Sequence, residues 1–278
     1  MEYNKNTIIA GLLALVLLWA GNILYFKEQQ LTRPLFMKHY YDLPFYDEYN
    51  LNLYYLVNND DKRRIGGITF PELSENYAFA VEEADSNIYK YHRLKRVTIR
   101  LNNTDLRYLT KARQLVIKEL LIMYSNGDVQ KINVGRIHIS LVAPNQKFVD
   151  MHTAGSGGND DSGGFGFDEF SVLKPTKITE IKHSFEDILA DKLLVNINEQ
   201  PLKETSLPFE LNNGKRMRVS YAFRFNKDHK LWSSYYQIGI NLKGEIKGQQ
   251  AQETFFANHQ PYFSEEQVRQ MVKEGRDD

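Results

Sequence analysis

Hydrophobic residues are distributed along this chain in two ways, one continuous and one alternating. Residues 7–26, TIIAGLLALVLLWAGNILYF, form 20 positions without a charge, and a helix of that length rises about 30 Å, enough to cross a bilayer core. A helix buried in a soluble core would carry a polar stripe, and this segment is apolar all round. A cleaved signal peptide needs small residues at −3 and −1 of the cut, yet cutting after Ala20 or Gly21 puts Leu18 or Trp19 at −3. The segment therefore reads as an uncleaved single-pass anchor contacting the lipid bilayer. Trp19, Tyr25 and Phe26 are placed for one interface, and Ala10 and Ala14 give a small-xxx-small pair.

The remainder alternates. Leu51, Leu53 and Tyr55 alternate with Asn50, Asn52 and Tyr54, and Val97, Ile99 and Leu101 with Arg96, Thr98 and Arg100. Residues 114–142 read as a hairpin whose Asn126-Gly127 supplies two positive-φ turn positions, with Gly135 as a bulge. In the second half Leu193, Val195 and Ile197 alternate, and Asn213-Gly214 marks another hairpin. Met217 to Phe225 and Tyr236 to Leu242 keep one apolar face each. A short helix is expected from Ser184, with Asp187 completing a cap. Another is expected from Ser264, with Gln267 completing a capping box.

This pattern predicts a mainly β protein: one N-terminal transmembrane helix, an antiparallel β-sandwich-like ectodomain in two β subdomains, and a short C-terminal helix. The expected divisions are a flank (1–6), the anchor (7–26), a juxtamembrane connector (27–38) and a β-rich domain (39–152). A Gly/Asp-rich mobile loop or linker (153–169) follows, then a sandwich-like domain (170–258) and a helical tail read as an appendage (259–278). The region 153–169 is assigned to a loop because it is rich in glycine and acid and poor in apolar residues.

Charge and composition narrow the function classes. Lys+Arg and Asp+Glu balance at 35 each, so no global field favours nucleic acid. The basic residues Arg93, Lys95, Arg96 and Arg100 beside Tyr89 and Tyr91 superficially resemble a nucleic-acid platform, but a solvated strand face explains them as well. The 17 Tyr and 16 Phe suit half-buried pleated surfaces. Tyr40, Tyr41, Phe45, Tyr46 and Tyr49 can form a sugar- or peptide-binding face, or core and membrane-interface packing. Flanking charges (Lys5 against Glu2; Lys27, Arg33 and Lys38 against Glu28) counted simply would leave the large region in the cytoplasm. The absence of cysteine and the signal-anchor arrangement favour the opposite side, so the domain is expected to be extracytoplasmic.

The scan for chemistry is largely negative. The seven histidines show no metal-ligand spacing, and no thiol is present. Asn159, Asp160, Asp161, Asp168 and Glu169 invite calcium, but their spacing does not fit an EF-hand loop. Gly155-Ser156-Gly157 lacks the nucleophile-elbow pattern, and Asn102-Asn103-Thr104 is a glycosylation sequon. No catalytic, metal-ligating or cofactor-binding residue is nominated, and no cofactor is expected. The expectation is a non-enzymatic membrane protein presenting a β-rich domain to a protein or envelope-polymer partner. The alternatives are a tethered hydrolase of envelope polymer, using carboxylates of 39–59 or 159–169, and an accessory subunit of a membrane transporter or sensor.

Overall fold

The uncharged segment forms helix α1 (Lys5–Glu28), whose Ala- and Leu-rich sequence favours a helix and whose end precedes Pro34. It is long and apolar enough to cross a bilayer, and its apolar window is not buried against the rest of the protein. The structure is a computed structural model describing residues 5–74, 77–141, 148–159, 163–225 and 230–275.

Strands β1 (Leu35–Phe36), β2 (His39–Leu43), β3 (Glu48–Asn58), β4 (Ile65–Thr69), β5 (Ala78–Phe79), β6 (Val81–Ile88) and β7 (His92–Asn102) precede helix α2 (Asn103–Leu109). Next come β8 (Gln114–Tyr124), β9 (Val129–Ser140), β10 (Val149–Asn159), β11 (Gly163–Val172), β12 (Thr176–His183) and the single-turn helix α3 (Glu186–Leu189). β13 (Leu193–Ile197), β14 (Gln200–Pro201), β15 (Phe209–Leu211), β16 (Arg216–Phe223), β17 (Tyr235–Ile246) and β18 (Gln249–His259) lead to helix α4 (Glu265–Glu274). The protein is mainly β, with several antiparallel sheets.

The strands build a four-stranded sheet ordered β1-β3-β7-β6 and a five-stranded sheet ordered β10-β11-β16-β13-β14. A nine-stranded sheet runs β15-β12-β17-β2-β9-β8-β4-β5, with β18 also on β17. The nine-stranded sheet draws strands from both halves of the chain, so residues 39–152 and 170–258 share it. The crossing point is β17. One of its edges pairs with β18 from Tyr236 to Ile246. The other pairs first with β2 in parallel, at Tyr235–Gln237, and then with β12 from Ile240 to Glu245. Adjacent residues of a strand face opposite sides of its sheet. Tyr235 stacks on Tyr54 of the four-stranded sheet, at 4.1 Å between ring centroids. Its neighbour Tyr236 packs on Phe223 of β16 in the five-stranded sheet and on Phe225 just after it. The two outer sheets thus cover opposite faces of the central one at β17.

Several local expectations change. Residues 153–159 and 163–169 are strand, not loop: β10 and β11 pair from Val149↔Val172 to Asn159↔Gly163, and β11 pairs onward with β16. The glycines permit close packing there; a Cβ on Gly164 would sit 2.7 Å from the Asn258 carbonyl oxygen of β18. The turn at Asn126-Gly127 has positive φ at Gly127 alone. Among the described residues, both φ are positive in the two-residue turns Asn198-Glu199 and Lys247-Gly248. Tyr89 and Tyr91 lie in the β6–β7 turn, not in a strand. Helix α3 has Phe185 as its cap residue, with φ of 60° and no side-chain bond. Ser184 instead donates to the Gly239 carbonyl, and Asp187 pairs with Arg136. The capping box at Ser264 and Gln267 is formed as expected, but α4 is no appendage, since Val268 and Val272 are buried in the core.

Gly135 marks where β9 meets β2. Its φ is +100°, and a Cβ there would lie 2.4 Å from the His39 carbonyl oxygen. Gly135→Ala is expected to cost at least roughly 1–3 kcal/mol from backbone strain alone, read as a lowered midpoint in thermal denaturation. An unchanged midpoint would contradict the close approach of these strands.

Candidate functional site

The loop-like connector after α1 is pinned to the β-rich body. Leu31 and Asn58 exchange two hydrogen bonds of 2.8 Å, Leu31 N–H to Asn58 Oδ1 and Asn58 Nδ2 to the Leu31 carbonyl. Phe26 meets Tyr91 edge to face. A few residues on, the Met37 N–H donates to the Tyr54 carbonyl and the Tyr235 N–H to the Lys38 carbonyl. His39 follows, fully buried, its Nε2 accepting the Tyr54 N–H at 3.0 Å. That bond leaves the neutral ring's proton on Nδ1, which has no hydrogen-bond partner. His39, Tyr54 and Tyr235 form a stacked aromatic group with Tyr41 at its edge.

Above this group lies a cleft of about 260 Å³ between the β3 edge, the β2–β17 pair and the end of β18. Tyr41, Leu43, Leu51, Tyr54 and Tyr235 supply its apolar surfaces; Asn50, Asn52, Gln237, Asn258 and Gln260 add five carboxamides. Tyr236 and His259 complete the lining, which contains no Asp, Glu, Lys or Arg. Burial raises the Tyr41 phenol well above its ordinary range, and Tyr54 and Tyr235 raise it further. Burial likewise raises Tyr235, helped by Tyr54. The phenols stay protonated, and the Tyr235 hydroxyl is buried without a partner. A buried hydroxyl of this kind costs the fold free energy.

The wall histidine His259 bridges two sheets. Its Nδ1 accepts the Gly164 N–H and its Nε2 reaches the Trp232 carbonyl, each at 3.1 Å. Burial lowers its pKa against the pull of that carbonyl.

A second titratable cluster lies on three neighbouring strands. Asp42 Oδ1 is 3.0 Å from His138 Nδ1, and Asp42 Oδ2 accepts the Gly239 N–H at 2.7 Å. Phe185 stacks on the His138 ring. Asp42 thus clamps β2 to β9 and β17.

The residues singled out from sequence disperse. Asp160 and Asp161 lie outside the described residues. Asp168 and Glu169 are adjacent in β11 and point to opposite faces; burial raises the Asp168 carboxyl, while Glu169 meets Arg216 at 3.6 Å. Among the described residues no group of three histidine or acidic side chains is arranged to hold a metal ion. The basic strand face is largely matched by acidic β6: Arg93 with Asp85, Lys95 with Glu83, Arg100 with Glu82. Glu83 also accepts from the Tyr55 hydroxyl and the Ile65 N–H. In the aromatic run, Tyr41 reaches the cleft while Tyr40 stacks on Tyr236 on the opposite face. Tyr46 and Tyr49 sit at the other end of β3 from Asn58, about 30 Å along the strand. In the sequon, Asn102 caps α2 by accepting the Thr104 N–H. The cleft itself was not nominated from sequence; Asn50 and Asn52 alternating before Tyr54 are its trace there.

No known family model matches this chain, and no curated protein matches it.

Burial lowers the His39 pKa from 6.5 to about 3. Between those values the unfolded chain binds a proton that the folded protein excludes. Stability from this group is therefore complete above about pH 6.5 and falls as pH drops towards 3, by up to about 1.4 kcal/mol per unit. Urea unfolding at pH 7, 6, 5 and 4 checks this: His39→Gln should flatten the decline, and parallel declines would contradict it.

Proposed function

We propose that this is a non-enzymatic, single-pass membrane protein whose extracytoplasmic β-rich domain binds a ligand or another protein through the cleft above β2 and β17. The observation that carries the reading is the cleft's combination of tyrosines and carboxamides, with no charged lining residue. Acid–base chemistry needs a titratable group poised near the working pH. The lining histidine is held neutral by burial and already bonded through both ring nitrogens. Recognition by hydrogen bonds and apolar contact fits this lining better than turnover does.

The tether reading rests on α1, whose exposed apolar residues include Leu12, Leu17, Leu18 and Trp19. Solvent exposure of so many large apolar side chains is unfavourable in water and natural in lipid. The connector's bonds to Asn58 and Tyr54 hold the domain at a short, defined distance from that helix. A domain held in this way stays close to the membrane that α1 enters.

The topology is tested with a C-terminal epitope tag and protease treatment of intact and lysed cells. The expected outcome is loss of the tag from intact cells, leaving an α1-sized fragment in the membrane. Protection in intact cells with cutting only after lysis would place the domain in the cytoplasm and overturn the localisation.

A further inference from the structure

The four-stranded sheet has an unfinished edge inside the cleft. β3 pairs with β7 along its entire length, from Glu48↔Asn102 to Asn58↔His92, without a register break. On its other edge β1 covers only Tyr55 and Leu56. In an antiparallel ladder the N–H and C=O of one residue point to the same edge, and successive residues alternate between edges. The phase is fixed at both ends of β3. Asn59 N–H donates to the Tyr91 carbonyl and Asn103 N–H to the Asp47 carbonyl, so odd-numbered positions face β7. Tyr54 N–H and C=O are bonded to His39 Nε2 and Met37 N–H on the opposite edge. The backbone groups of Glu48, Asn50 and Asn52 therefore point away from β7, where no strand of the described residues pairs with them. Asn50 and Asn52 line the cleft, with Leu51 between them. Consecutive residues line a cavity together when the strand's edge forms the wall.

We propose that the cleft takes an extended, uncharged peptide segment of a partner protein, which adds as a strand to the free β3 edge and continues the line begun by β1. The proposal rests on the reading of the cleft as a binding site. The available edge, residues 48–53, offers roughly 20 Å of backbone. Main-chain bonds to Asn50 and Asn52 supply affinity, and the pockets flanking the edge select alternate side chains. The lining selects against charge, because an ion placed beside Leu43, Leu51 and Tyr235 would lose hydration and find no counter-ion. A saccharide would engage the carboxamides, but it cannot use the strand-spaced pattern of donors and acceptors that this edge repeats every second residue.

The test uses the full chain in lipid nanodiscs and a phage-displayed library of random seven-residue peptides, with selected sequences resynthesised. The expected result is enrichment of uncharged, strand-forming peptides whose binding is lost when alternate amides are N-methylated. Asn52→Pro removes an outward N–H and the 2.7 Å bond from the Thr98 hydroxyl to Asn52 Oδ1 but no ladder bond to β7, so it should weaken binding at least tenfold while melting no lower than Asn52→Ala, the control for the lost side chain. Leu53→Pro removes a ladder bond to β7 and should melt far lower. No enrichment, binding indifferent to N-methylation, or equal affinity for Asn52→Pro in a folded protein would each overturn the proposal. So would a concentration-dependent dimer lost in Asn52→Pro, since the edge would then serve a second copy. The same preparation is titrated with maltotriose, cellotriose and chitotriose. Saccharide binding abolished by Gln237→Ala, without peptide binding, sinks strand addition but leaves the cleft as a site; binding of neither class sinks both.

Discussion

The architecture depends on one dipeptide in one strand. Tyr235 and Tyr236 start β17 and, as neighbours in an extended chain, face opposite sides of the central sheet. Tyr235 stacks with Tyr54 and His39 on one side; Tyr236 packs with Phe223, Phe225 and Tyr40 on the other. Each ring fixes an outer sheet, and the backbone between them pairs with both β2 and β18. Aromatic rings of this size contribute large buried areas and directional packing together. Two residues therefore join the N-terminal and C-terminal halves of the chain.

The same strand explains why a cleft forms where it does. The four-stranded sheet reaches the central sheet through Tyr54, but β1 is only two residues long and leaves β3 uncovered beyond that contact. The chain cannot extend β1, because it must turn to deliver His39 to the floor and then run as β2 beside β17. The connector thus has two tasks. It ties α1 to the β-rich body through Leu31 and Asn58, and eight residues later it supplies the buried histidine beneath the cleft. The burial that keeps His39 neutral gives this joint a built-in sensitivity to acid.

Much of the fold was legible because alternation is a local signal. β3, β7, β13, β16 and β17 each bury the residues that the period of two selects. The Ser264 capping box was equally local. The failures came from long-range packing. Residues 153–169 look unable to support structure, yet their glycines let β11 lie against β18 and between β10 and β16, so neighbouring strands supply what the segment lacks. Asn126-Gly127 suggested a two-residue turn, whereas the φ pattern that such a turn needs occurs at Asn198-Glu199 and Lys247-Gly248, where composition signals it weakly. The cleft was hidden for a similar reason. Its parts come from residues 41–54, 235–237 and 258–260, and an unpaired edge is defined by a strand that stops short. Asn50 and Asn52 read simply as the polar face of a strand.

Everything proposed for the cleft depends on β3 carrying a free backbone edge there. Residue-resolved amide hydrogen exchange along β3, in the full chain without partner, tests it most directly. A free edge gives rapid exchange at Asn50 and Asn52 with strong protection at Leu51, Leu53 and Tyr54. Uniform protection from Asn50 to Tyr54 would show the edge already paired and contradict it.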